Sequence, residues 1–396
     1  MPQHSCSEVT IDWKEYFMSE KISICCVGDL ILDEPGPVEP YFEGCKDVLR
    51  AQDVMIGHVE TPHTTKERTE PSCITVQAPP SDPQHLECLP SMGFNMVTTA
   101  GNHSYDCGPN GVIDTIAKLD EIGLVHAGTG ANIYEAKKPV FIEKKGIRVG
   151  LLSYNCTGPS LGWAMSQKPG ANYVKVETAY IPKYDMPGCP CRIDTYLLPE
   201  ARKQLSDEVA ELKKQCDIAV VVFHKGNGGD IPKLEDYEKE VCYLSIDAGA
   251  DIVFGIHHHI LKGVEYYKGK PIYHGLGNFV CVTYAMTSGY NDTPEMIAYL
   301  KERARQGRGG GHYKVDFYPW SEKSRLTIIA QVFADKDGVC ECGFIPAYIE
   351  DSGNVVVKTR EDGGEDVMEF MRAQTDGANL GVKLEWSVDG KFIRML

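Results

Sequence analysis

No stretch of this sequence approaches the ~20 unbroken apolar residues that cross a bilayer as a helix, so no membrane-spanning helix is expected. Positive charge is in deficit: 40 Lys and Arg face 56 Asp and Glu, a formal net charge of −16. Such a surface repels phosphate backbones and anionic lipid, which excludes nucleic acid and membrane as general partners. From Met1 to Lys21 there is no basic start, apolar run and small-residue cleavage site, and the absence of this export pattern leads us to expect a cytoplasmic protein. Repeats and low-complexity tracts are also lacking. Cysteine is not scarce, at 15 residues, but without an export signal these thiols are expected to be reduced. Cys189 and Cys191, like Cys340 and Cys342, are separated by a single residue, tighter than zinc-knuckle spacing, so no structural zinc is expected there.

What is present is an ordinary globular composition, 42% hydrophobic and 24% charged over 396 residues, enough for one large domain or two smaller ones. Short apolar runs recur, each bounded by turn residues and followed by polar ones. Ile22–Val27 leads to Gly28-Asp29, Val54–Ile56 to His58 and Glu60, and Met96–Thr99 to Gly101-Asn102-His103. Ile218–Phe223 leads to His224, and Ile252–Phe254 to His257-His258-His259. Runs of this length read as buried strands. Helical patterning fills the gaps at Gly111–Ile122, Pro199–Gln215 and Leu234–Ala248. Alternating strands and helices imply an α/β fold, in which ligands bind beyond the carboxyl ends of the strands, where all five polar clusters fall. The β-rich segments Leu326–Ala334, Val339–Glu350 and Val355–Lys358 are expected to complete the second sheet of a sandwich.

Seven of the twelve histidines lie in or near these clusters: His58, His103, His224, His257, His258, His259 and His274. Asp, Glu, Asn and His together supply hard oxygens and imidazole nitrogens, a donor set suited to Mn, Fe, Zn or Mg. In an extended segment His257 and His259 project to one face and His258 to the other. His224 ends the apolar run VVVFH, where an unpaired imidazole is costly, so it needs a metal or a hydrogen-bond partner.

The order of these elements, GD, then an xxxE element, GNH, an isolated His and GxHxH, resembles the calcineurin-like metallophosphoesterases. Within them VGDLIL, GHVETP, AGNHSYDCG and GIHHHILKGVEYYKGKPIYHGLGNFV are similar to the CapA family, named for poly-gamma-glutamate capsule synthesis, over about Ile22 to Ile349. The resemblance implies a four-layer α/β/β/α sandwich and two divalent cations. Asp29 and His259 would bind the first cation, Glu60 would bridge, and Asn102, His224 and His257 would complete the second. His103 stands at the position of the catalytic His, with Asp106 three residues on to orient it, or to cap the helix that follows.

The sequence also departs from the pattern. The superfamily opens with Asp-x-His, and here Ile31 stands two after Asp29, so one ligand is missing; Asp33, Glu34 and His58 are the candidates to replace it, or to contact substrate. Lys225 follows His224 and is a candidate to pair with an anionic substrate or to lie solvated. His274 and Asn278 are assigned to the pocket wall. The expected organisation is a polar leader over 1–20, a CapA-like domain over 21–360 with insertions near 158–195 and 302–312, and a C-terminal extension over 361–396 packing on the same domain. The insertions are candidate substrate lids. The functional expectation is hydrolysis by metal-activated water of a phosphoester or an amide, ester or glutamyl-type bond in a small or oligomeric anionic substrate. The alternative is a non-catalytic metal-binding or assembly protein of polymer biosynthesis. No pattern identifies an oligomer face.

Overall fold

The computed structural model describes residues 21–67, 77–186, 188–229, 231–284, 294, 298, 318 and 320–396. The leader over 1–20 and the insertion near 302–312 lie outside the described residues. Each apolar run singled out above forms a strand. Ile22–Leu32, Val54–Val59, Met96–Thr98 and Val125–Ala127 run parallel in one sheet. Ile218–His224 and Ile252–Ile256 lie in another, parallel to each other and to Ile147–Asn155 and Lys270–Leu276.

Strand alternation sorts the side chains into layers. Ile22, Ile24 and Ile56 of the first sheet meet Val149, Val220, Val222 and Phe254 of the second in a core between the two sheets. The intervening residues Cys25, Val27, Met55 and Val97 face outward onto Phe42, Leu49, Leu86 and Leu119. On the far side Ala219, Val221 and Phe223 pack under helix Pro199–Lys213 and helix Asp236–Asp247. The architecture is therefore α/β/β/α. Helix Pro199–Lys213 begins with Pro at its first turn and buries Leu205, Val209 and Leu212, one stripe at helical spacing. Helix Asp236–Asp247 starts with a reciprocal capping box between Glu235 and Glu238.

Leu326–Asp335, Gly338–Ile349 and Val355–Val357 extend the first sheet, not the second, which corrects the expectation above. Ile22 pairs antiparallel with Ala334 and Cys26 with Ala330. In that register Ile328, Ala330, Val332 and Ala334 enter the inter-sheet core beside Ile22 and Ile24, so the alternation of both strands is satisfied at once. Beyond residue 360, helix Gly364–Gly377 adds Val367, Met368 and Met371 to the same core, and Leu384–Trp386 and Ile393–Met395 finish the first sheet.

Of the segment 158–195, the early part folds back over the Asn102 turn, with Trp163 stacked on Tyr173 at 4.2 Å. The rest is an antiparallel hairpin, Val176–Pro182 against Cys191–Leu197, that leaves Tyr180, Tyr184 and Met186 exposed. Every described cysteine is a free thiol. Among the described residues no helix is long and apolar enough to cross a membrane.

Candidate metal centre

The site is built where both sheets end. Asp29 is carried on a bulge of its strand, which runs on to Leu32 and there pairs with Asn278–Val282. The bulge brings two backbones together: Asp29 N–H donates to the Gly277 carbonyl at 3.0 Å, and a Cβ on Gly28 would lie 1.9 Å from that same oxygen. Only glycine fits at position 28. Parallel pairing sets His58 beside Asp29, and Glu60 follows directly. From the second sheet His224 comes within 4.8 Å of His58 and 4.5 Å of His257, measured between ring centroids.

The donors are buried and bare. Both carboxylate oxygens of Asp29 and of Glu60 lack a hydrogen-bond partner, as do His58 Nε2, His224 Nδ1 and His257 Nδ1. His259 lies beside them, its Nδ1 3.4 Å from Asp29 and its Nε2 3.5 Å from Glu60, but burial lowers its pKa and it supplies no compensating charge. Burial drives the Asp29 carboxyl well above the usual range, with the Glu60 charge adding to it, and burial raises Glu60 to about 7. Burial pushes His58 down to about 3 and His224 and His257 well below their ordinary value. Buried polar groups are normally paired, and each orphan costs ~1–3 kcal/mol. Buried lone pairs converging on one space without hydrogen-bond partners fit a divalent cation. Two groups have the spacing: Asp29, His58 and His224, and Glu60, His257 and His259, with ligand atoms in each group within 4.8 Å of one another.

His257 and His259 do share the site, but not through an extended segment. Their φ values are +99° and +54°, the left-handed region. Such backbone costs on the order of 1–3 kcal/mol per residue and persists only where the surroundings enforce it. Between them His258 turns away, its Nε2 2.8 Å from Glu238 Oε2 in the core. Lys225 donates to that oxygen at 3.0 Å and to the His274 carbonyl at 3.1 Å. Lys225 is thus neither solvated nor facing substrate, contrary to both options above, because the residue after inward-facing His224 must point outward into the helix layer. His274 is also not in the pocket wall. It faces the same layer, its Nε2 2.9 Å from Glu265.

Asn278 does belong to the site. Its Oδ1 accepts from His259 Nδ1 at 2.8 Å, while its amide donates to Tyr318 Oη, which donates to the Ser324 carbonyl. Trp320 lies 5.2 Å from the His259 ring. Asp33 accepts from Tyr284 N–H at 2.6 Å, and its charge also acts on Glu60. His224 Nε2 donates to Asn102 Oδ1 at 2.6 Å. His103 Nδ1 lies 2.7 Å from Asp106 Oδ2, which also accepts from Ala78 N–H. Burial disfavours charge on His103, but Asp106, then Glu60 and Asp29, outweigh it and hold the imidazolium up to about 9. The His103 side chain is 18% exposed and that of His259 21%, so the pocket opens on their side.

Glu238, Tyr318 and Trp320 escaped the sequence reading. Glu238 sits in the run EDYEKE, which reads as helix surface, and only its capping-box spacing from Glu235 marks it.

A two-sheet α/β/β/α sandwich with imidazoles and carboxylates clustered at its strand ends defines the class, an α/β protein with a candidate metal centre. The family described as "Bacterial capsule synthesis protein PGA_cap" matches residues 23–283, and the chain belongs to it. It is 26% identical over 272 residues to "PGA biosynthesis protein CapA" of Bacillus subtilis, covering 67% of this chain and 64% of that one. The match thus spans somewhat less than two thirds of that relative. Among solved structures, a putative 5'-nucleotidase from Staphylococcus aureus in complex with alpha-ketoglutarate aligns with TM-score 0.43 and 13% identity, covering 90% of this chain and 58% of that one. The calcineurin-like phosphoesterase YfkN from Bacillus subtilis aligns with TM-score 0.39 and 11% identity, covering 90% and 97%.

Proposed function

We propose that this protein is a metal-dependent hydrolase whose site uses Asp29, Glu60, Asn102, His224, His257 and His259 to hold divalent cations and His103 to handle the proton. The observation that carries this reading is the convergence of buried, unpartnered carboxylate and imidazole atoms from both sheets. Divalent cations in such a site supply Lewis acidity toward a phosphoryl or carbonyl oxygen and lower the pKa of water. The chain's own groups do the rest. His103, its side chain 18% exposed, stands at the open side of the pocket to hold a proton at Nε2 for the departing oxygen or nitrogen. Asp106 fixes its ring through Nδ1. Asn278 holds His259 so that Nε2 faces Glu60. The substrate class is a phosphoester, or an amide, ester or glutamyl-type bond, in an anionic molecule.

A second reading has its own support, since the relative named above is called a biosynthesis protein. In it the site binds metal without turnover, within capsule-type polymer assembly. Elemental analysis of protein purified without chelator, with the His257→Ala/His259→Ala double variant beside it, tests the first reading. Near two equivalents of Mn, Fe or Zn, lost in the variant, support it and lead to a screen of phosphoesters, amides and lactones. No metal after reconstitution sinks it. His103→Ala then separates the two: a hydrolase keeps its metal and loses rate, whereas an assembly protein loses nothing.

A further inference from the structure

The strand bearing Asp29 lacks the histidine expected two residues later, where Ile31 stands and packs in the apolar layer. The neighbouring strand offers one instead. His58 is 1% exposed, and its Nδ1 lies 2.9 Å from Thr98 Oγ1. Thr98 Oγ1 also lies 3.4 Å from the Gly57 carbonyl; with its hydroxyl proton directed there, its oxygen accepts from His58 and the imidazole carries its hydrogen on Nδ1. Nε2 is then a bare lone pair, and it has no partner.

His224 is fixed the same way from the opposite side. His224 Nε2 lies 2.6 Å from Asn102 Oδ1; in the tautomer that donates to this oxygen, Nδ1, which has no hydrogen-bond partner, is the bare atom. Both lone pairs look at one small space. A Cβ on Gly101 would lie 3.1 Å from His58 Nε2 and 3.5 Å from His224 Nδ1, so the absence of a side chain at residue 101 keeps that space clear. One oxygen of Asp29 reaches it as well, since a ligand atom from each of the three residues lies within 4.8 Å of the others.

We propose that His58 is itself a metal ligand, its Nε2 joining Asp29 and His224 Nδ1 around one cation while Glu60, His257 and His259 serve a second. The proposal rests on the metal-dependent reading above and revises its ligand set. A histidine from the second strand takes the place of the one absent from the first. Asn102 becomes a positioning residue that selects the His224 tautomer, and Thr98 plays the same part for His58.

The full chain, stripped with chelator and reloaded with Co²⁺, tests this by elemental analysis and by the visible d–d absorption of the bound ion. The parent takes two equivalents. His58→Gln, similar in bulk but without an imidazole lone pair, keeps one and loses the part of the spectrum due to the site of Asp29, His58 and His224. Thr98→Val leaves His58 in place but frees its tautomer, and weakens one of the two sites by roughly 10- to 100-fold, the usual effect of losing an outer hydrogen bond to a ligand. Two equivalents with the parent spectrum in His58→Gln overturn the His58 assignment and leave the metalloprotein standing. A parent that takes up no Co²⁺ overturns both. Should His58→Gln fail to give a folded circular dichroism spectrum, Thr98→Val decides alone, and unchanged affinity there overturns the assignment.

Discussion

His103 Nδ1 and Asp106 Oδ2 are 2.7 Å apart, and the same Asp106 oxygen is held by the Ala78 amide. The carboxylate is thus fixed before it fixes the imidazole. Removing the ring and removing its support should therefore differ in size. His103→Ala keeps its cations and loses roughly 10²- to 10⁴-fold in turnover, the range of a general acid. Asp106→Asn loses roughly 10- to 100-fold. Single-turnover rates on whichever substrate the screen finds check this, and equal losses in the two variants contradict a supporting role for Asp106.

Cation removal should soften the whole fold. The unpartnered oxygens of Asp29 and Glu60 lie at the end of the inter-sheet core, so anything that neutralises them binds the folded chain alone. At a hundredfold excess over Kd, the stabilisation is ~2.7 kcal/mol. Thermal unfolding with and without chelator measures it, and an unchanged Tm argues against a bound cation.

Gly101→Ala places a methyl group 3.1 Å from His58 Nε2 and against His224. We expect the fold to survive and cation affinity to fall at least about tenfold, because displacing a reacting group or ligand by a fraction of an ångström is already costly. Isothermal titration with Mn²⁺ reads this directly; parent-like affinity would show that the space beside residue 101 is unused.

Lys225 and Glu238 form a fully buried ion pair, to which His258 adds. Glu238→Gln alone leaves the lysine charge uncompensated, at an expected ~3–5 kcal/mol in denaturant unfolding. Adding Lys225→Met recovers much of that loss. Cation affinity should stay weakened in the double variant, because His258 has lost the carboxylate that holds the left-handed turn between His257 and His259. Full recovery of both properties together would separate this pair from the metal centre.

Burial lowers His63 to about 4 in the folded chain, against an ordinary value of 6.5. Between those values the unfolded chain binds the extra proton, so stability is complete above about pH 6.5 and declines as pH falls toward 4. The contribution is about 3 kcal/mol at most. His63→Gln should flatten the acid limb of a stability–pH curve, and an unaltered slope contradicts the assignment.

Much of this was legible because one-face burial writes itself into a strand as an apolar run. The five runs and their polar ends lay open in the sequence, and with them Asp29, Glu60, Asn102, His103, His224, His257 and His259. The sheet to which Leu326–Asp335 belongs did not, since antiparallel partners are chosen by the register of distant strands. Lys225 and His274 were misplaced for a simpler reason: parity along a strand tells which residues share a face, but not that a helix covers the other one. His258 was placed correctly for the wrong cause, through an extended backbone that the chain does not adopt.

The donors are divided between the sheets: Asp29, His58 and Glu60 on one, His224, His257 and His259 on the other. Neither half can assemble the pocket alone, and the residues that must meet are nearly two hundred positions apart in the chain. Contacts of such separation form late, after the entropy of closing the intervening loop has been met. The rate at which refolding protein captures a cation should therefore time the meeting of the two sheets, making the candidate metal centre a clock for one long-range step of folding.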